Sequence, residues 1–134
     1  MARKYDERLI LEILQGAAHR LEQGWTAGHQ ARTEQGDPVP PEHPHAVAFC
    51  VFGAIRAECL SYFPDARGEG MLLAEASAKY LGAMLKFLGH PVKSQSAPHT
   101  LMLWNDLPER SQEEVVGLFH QTVESLTRRV QAQG

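Results

Sequence analysis

What this sequence has little of limits what it can be. Only two of its 134 residues are cysteine, Cys50 and Cys59. They stand nine apart on what the pattern predicts to be one helix, hence roughly 13 Å apart along its axis and unable to pair. A disulfide scaffold is excluded, and two free thiols suit a reducing, cytoplasmic compartment. No apolar run approaches the roughly 18 residues of a membrane span. No basic, apolar and small-residue leader opens the chain, so neither a membrane-spanning nor an exported protein is expected. Thirteen Lys and Arg are scattered against sixteen Asp and Glu, for a net charge of −3. That leaves no basic stripe to neutralise a phosphate backbone, and direct nucleic-acid binding is not expected. Glycine-rich phosphate loops, paired-carboxylate helix motifs, internal repeats and runs of strand-like alternation are missing as well.

What is present is helical periodicity. A chain of this length fits one domain, residues 1–134, able to bury roughly two thirds of its unfolded surface. Leu9, Ile10, Ile13, Leu14, Ala17 and Leu21 recur at three- and four-residue steps, predicting a first helix over 4–23 that stops at Gly24. "HAVAFCVFGAIRAECLSYF", apolar on nearly all sides, reads as a central buried helix after Pro44. Leu73, Ala76, Leu81, Met84, Leu85 and Leu88 predict a third helix ending at Gly89. "HPVKSQSAPH" reads as a loop, and a short helical turn near residues 99–105 follows. Ser111 with Glu114 three residues on is a capping box. It opens a last helix whose buried stripe is Val115, Leu118, Phe119, Val123, Leu126 and Val130. The expected fold is all-α, a compact bundle of four main helices plus that short turn. Its exception is Trp25 to Pro44, with Pro38, Pro40, Pro41 and Pro44. Proline fixes φ and removes a backbone donor, so an extended excursion is expected there, with a short hairpin about Gly36-Asp37.

Gly24-Trp25, the turn at Gly36, "FCVFGAIRAE" over Phe49–Glu58 and "WNDLPERSQEEVV" over Trp104–Val116 together resemble an uncharacterised family of small proteins of bacteria and their phages. That family combines a GW after the first helix, a C-x-x-G-A-[IL] helix and a WND before a final helix. The matching residues are Gly24, Trp25, Cys50, Gly53, Ala54, Ile55, Trp104, Asn105 and Asp106. The stretch from Pro64 to His99 carries none of these motifs. The resemblance implies a fold and a phage or mobile-element setting, but no assigned activity, cofactor or metal.

The chemistry-bearing residues support competing readings. Cys50, with His43 or His45 as base and Asn105 or Asp106 as orienter, would make a thiol-dependent hydrolase or transferase. The bulk of Phe49, Val51 and Phe52 around Cys50 argues instead for a buried, inert thiol, with Gly53 and Ala54 giving another helix room to approach. His43, His45 and Cys50, with His29, could be drawn as a metal site, but the spacing lacks the paired pattern of zinc ligands, and solvated histidines explain it better. In "WND", Trp104 can anchor a turn that Asn105 or Asp106 closes, or the triplet can wall a polar pocket beside Trp25. The leading expectation is a non-enzymatic accessory protein that binds a host macromolecule, for instance as an inhibitor of a host defence complex in the manner of an anti-CRISPR protein. The expected partner is a protein and no cofactor is expected. The contact candidates are Trp25, His29, His43, His45, Trp104, Asn105, Asp106, Glu109, Glu113 and Glu114. A third reading is self-association as a homodimer through Met71, Leu72 and Tyr80 on the third helix.

Overall fold

The computed structural model describes residues 5–65, 68–90 and 96–133. Five helices carry most of it: α1 Glu7–Gln23, α2 Val51–Tyr62, α3 Glu69–Phe87, α4 Ala97–Asn105 and α5 Gln112–Gln133. Three two-residue strands, β1 Ala31–Arg32, β2 Pro38–Val39 and β3 Ala48–Phe49, form an antiparallel sheet in the order β2-β1-β3. The molecule is therefore mainly helical but not purely so. The residue 4 start expected for the first helix lies outside the described residues, as does part of the loop expected over 90–99.

The helices follow from local chemistry. Asp6 caps α1 by accepting the amide N–H of Arg8 at 2.9 Å, and Ile10, Ile13, Leu14, Ala17, Ala18 and Leu21 are its buried face. α1 lies against α5 and α2, and α3 lies against α2 and α4. The side chains they share form one continuous core, with Phe119, Ile13, Leu14, Leu21, Ile55, Leu73, Leu81 and Leu101 fully enclosed. The capping box is formed in both directions: the amide N–H of Glu114 donates to Ser111 Oγ at 3.2 Å, and the amide N–H of Ser111 donates to Glu114 Oε1 at 3.1 Å. Gln112 ties α5 to α1 by donating to the Leu21 carbonyl at 2.8 Å, occupying one of the acceptors a helix end leaves open.

Two expectations need correction. The central helix begins at Val51 rather than just after Pro44, because Ala48 and Phe49 are drawn into the sheet: Ala31 lies opposite Val39 on one side and Phe49 on the other. The short turn near 99–105 is a nine-residue helix whose N-cap is Ser96. The proline-rich stretch contains a hairpin about Gly36-Asp37, as expected. The Gly36 amide N–H donates to the Thr33 carbonyl at 2.9 Å with Gly36 in the left-handed region, φ 88°, so the hairpin turns where a glycine permits it. Arg32 then clamps the segment, donating to Thr26 Oγ1 at 2.8 Å, to the Gly36 carbonyl at 2.9 Å and to the Ala27 carbonyl at 3.3 Å.

Candidate functional site

The three motif segments converge. α4 ends at Asn105, whose side chain has no solvent exposure. Burying an amide is costly unless its hydrogen-bonding capacity is met, and here all four positions are used. Asn105 Oδ1 accepts the indole N–H of Trp25 at 2.8 Å and the amide N–H of Val51 at 3.0 Å. Asn105 Nδ2 donates to the Thr26 carbonyl at 3.1 Å and to Asp106 Oδ1 at 2.9 Å. Asp106 Oδ1 in turn accepts the amide N–H of Gly28 at 2.9 Å. One side chain thus joins the end of α4, the start of α2 and the loop after α1.

The glycines of the motifs are explained by space. A Cβ on Gly24 would stand 2.2 Å from the Val47 carbonyl oxygen, and one on Gly53 only 2.0 Å from that of Gln30. Gly24 and Phe49 run side by side, the Phe49 amide N–H donating to the Gly24 carbonyl at 3.0 Å. Gln30 accepts the Cys50 amide N–H at 3.0 Å, which brings the loop backbone directly onto the first turn of α2. Any larger residue at either position would push these backbones apart.

Cys50 occupies the N-cap of α2, its sulfur accepting the amide N–H of Gly53 at 3.3 Å. Sulfur is a weak acceptor, so this is a modest cap, but the thiol is also a core residue, 3% exposed. Burial pushes its pKa up from 9.0 to about 11, against the lowering effect of the Gly53 and Phe52 amides, and the nearby Asp106 charge pushes the same way as burial. Cys59, inside α2, is raised to about 12, mainly by burial and secondarily by Glu58. Neither thiol is a thiolate at neutral pH. Of the first amides of α2, that of Val51 donates to Asn105, that of Gly53 to the sulfur and that of Ala54 to the Cys50 carbonyl at 2.9 Å.

Cys50 does border a pocket of about 300 Å³, shared with Gly28, His29, Gln30, Met102 and Asp106. The histidine brought there is His29, not His43 or His45. His43 lines a different hollow, about 350 Å³, with Arg20, Pro41, Pro44 and Leu60. His45 is exposed, its amide N–H bonded to His43 Nδ1 at 3.0 Å. The expected Cys50–His45–Asn105 set is therefore corrected on two counts: His45 belongs to another face, and Asn105 is fully spent on the latch. Among the described residues no group of three or more His, Cys, Asp or Glu is placed to hold a metal ion.

The remaining candidates divide by exposure. Trp104 is 2% exposed, with the Arg110 guanidinium over its ring at 4.1 Å and the Arg110 Nε–H on its carbonyl at 3.0 Å. Trp104 and Asn105 are interior groups and cannot act as surface contacts. Trp25 is half-buried, while Asp106, Glu109, Glu113 and Glu114 are exposed. Glu114 holds Arg110 at 3.0 Å as well as closing the capping box. Met102 and Gln30, which line the Cys50 pocket, were missed. The pairing of β1 with β3 brings Gln30 beside Cys50, and two-residue strands leave no sequence trace.

These features define a small, mainly helical protein whose GW, C-x-x-G and WND elements are joined by one buried asparagine. The chain belongs to a family of unknown function (DUF6197), whose model matches residues 6–125. No curated protein and no solved structure matches it.

Proposed function

We propose that this chain is a small non-enzymatic accessory protein that works by binding a host macromolecule, most concretely a protein of a host defence complex. The bacterial, phage or mobile-element setting comes from the sequence resemblance. The observation that carries the binding reading is the construction of residues 25–49. This proline-rich segment is fixed by three short strands, by the Arg32 clamp and by the Asn105 latch. It presents exposed Glu42, His45 and Val47, the last 49% exposed, beside the hollow that His43 lines. Loops held on a rigid scaffold are where binding residues concentrate, and fixing them beforehand reduces the entropy lost on association.

The test is a capture experiment from host lysate with the intact protein and with a Glu42→Ala, His43→Ala, Val47→Asp variant that keeps its helical circular dichroism. A host protein retained by the native surface and lost with the variant is expected. Equal retention by both would remove this face from the proposal, and retention of nothing would remove the binding reading.

The second reading is a thiol-dependent hydrolase or transferase. It is favoured by the placement of Cys50, His29 and Asp106 around one pocket and opposed by the burial that keeps the thiol protonated.

A further inference from the structure

Arg20, on α1, borders the hollow of about 350 Å³ that His43 lines. Its Nε–H donates to Glu58 Oε1 at 2.7 Å, and its guanidinium carbon lies over the Phe49 ring, 5.4 Å from the centroid. Glu58 is itself seated, because Gly16, one turn back on α1, has no Cβ where that carboxylate lies. The guanidinium is thus held from two sides. Among the described residues neither of its terminal nitrogens has an acceptor, so the rest of its five N–H donors stay open. The His45 amide N–H donates to His43 Nδ1 at 3.0 Å, which places the proton of the neutral ring on Nε2. A second donor therefore belongs to the residues around the same hollow.

The charges decide what such a hollow accepts. Glu58 already balances Arg20, and the exposed Glu42 lines the same hollow. A carboxylate or phosphate entering it would meet two like charges, and a lysine or arginine would meet the guanidinium and the imidazole N–H. An uncharged acceptor meets neither penalty. Every residue of a peptide carries one, its backbone carbonyl, which is open to a partner where the peptide is extended rather than helical. The other walls of the hollow, Pro41, Pro44, Phe49 and Leu60, are apolar and suit an apolar side chain beside that carbonyl.

We infer that this hollow is a peptide site. It takes an extended, uncharged segment of the partner protein, whose backbone carbonyl accepts from the terminal nitrogens of Arg20 and whose apolar side chain lies against Phe49 and Leu60. The inference rests on the binding reading above and adds to it the chemistry of the partner. Selection of a random heptapeptide phage library on the intact protein tests it. The enriched peptides are expected to lack Asp, Glu, Lys and Arg and to share an apolar residue. Their binding is expected to fall about tenfold in Arg20→Lys, which keeps a charge for Glu58 but loses the planar fork. His43→Ala, on the loop, removes the second donor, is expected to weaken the same peptides, and carries the test if Arg20→Lys fails to fold. A charged consensus, no enrichment, or undiminished binding by the folded variants overturns the site. A host protein whose capture needs Val47 but is unchanged by Arg20→Lys and His43→Ala also overturns it, while leaving the wider binding face standing.

Discussion

Trp25 and Asn105, eighty positions apart, are joined by a hydrogen bond of 2.8 Å from the indole N–H to the amide oxygen. The same oxygen receives the Val51 amide at 3.0 Å, so the loop after α1 and the start of α2 depend on one atom. Truncating Asn105 to alanine would leave the buried Val51 amide and the half-buried Trp25 indole N–H without an acceptor, the buried one alone costing about 1–3 kcal/mol. Asn105→Ala is expected to lower the unfolding free energy in urea by about 3 kcal/mol or more. Trp25→Phe, which keeps most of the packing and loses one bond, should cost about 1 kcal/mol of hydrogen bonding plus its smaller ring contacts. Equal, small effects from both variants would contradict the latch.

Two glycine-to-alanine substitutions should change stability in opposite directions. At Gly53 the added methyl would lie 2.0 Å from the Gln30 carbonyl oxygen, a backbone atom that cannot rotate away. The helix-propensity gain of about 1 kcal/mol is then outweighed by the displacement of the loop. At Gly117, inside α5, no atom lies within 4 Å of the added methyl, and the same gain of up to about 1 kcal/mol should appear in full. Thermal unfolding of the two variants gives the signs directly.

The thiols make an alkaline prediction. An unfolded thiol loses its proton near the ordinary value of 9.0, whereas folded Cys50 holds it until about 11 and Cys59 until about 12. The folded state therefore binds more protons above that ordinary value. Stability is intact below it and declines as the pH rises toward the folded values. For Cys50 alone a rise of about 2 corresponds to about 3 kcal/mol. Replacing both cysteines with alanine should flatten this part of the pH profile, whatever it does to stability at neutral pH. In the native protein at neutral pH both thiols should react with a disulfide reagent orders of magnitude more slowly than in denaturant. Rapid labelling of Cys50 in the folded protein would revive the thiol-enzyme reading.

The sequence was legible wherever one helix face met the core. The spacing of Ile10, Ile13, Leu14, Ala17 and Leu21, and the Ser111–Glu114 box, lead directly to α1 and to the start of α5. The glycine turn at Gly36 was legible for a similar local reason, a left-handed residue between short extended pieces. The sheet as a whole was not, because strands of two residues have no periodicity and are held by partners distant in the chain. The same cause misplaced the histidines. His43 and His45 are near Cys50 in sequence, but the strand pairing turns them to another face and brings His29 in their place. Asn105 was singled out as a turn former or pocket wall, and its four partners, three of them in other segments, could be known only from the fold.

The latch also sets an order of events in synthesis. Residues 25 and 51 emerge from the ribosome well before residue 105 is joined, by several seconds at roughly 5–20 residues per second. During that interval the indole of Trp25 and the amide of Val51 lack their acceptor on Asn105. The Asn105 anchor of the small sheet is available only after α4 has been made. A chain that ended short of Asn105 would have only the strand pairing and the Arg32 bonds to hold its proline-rich segment.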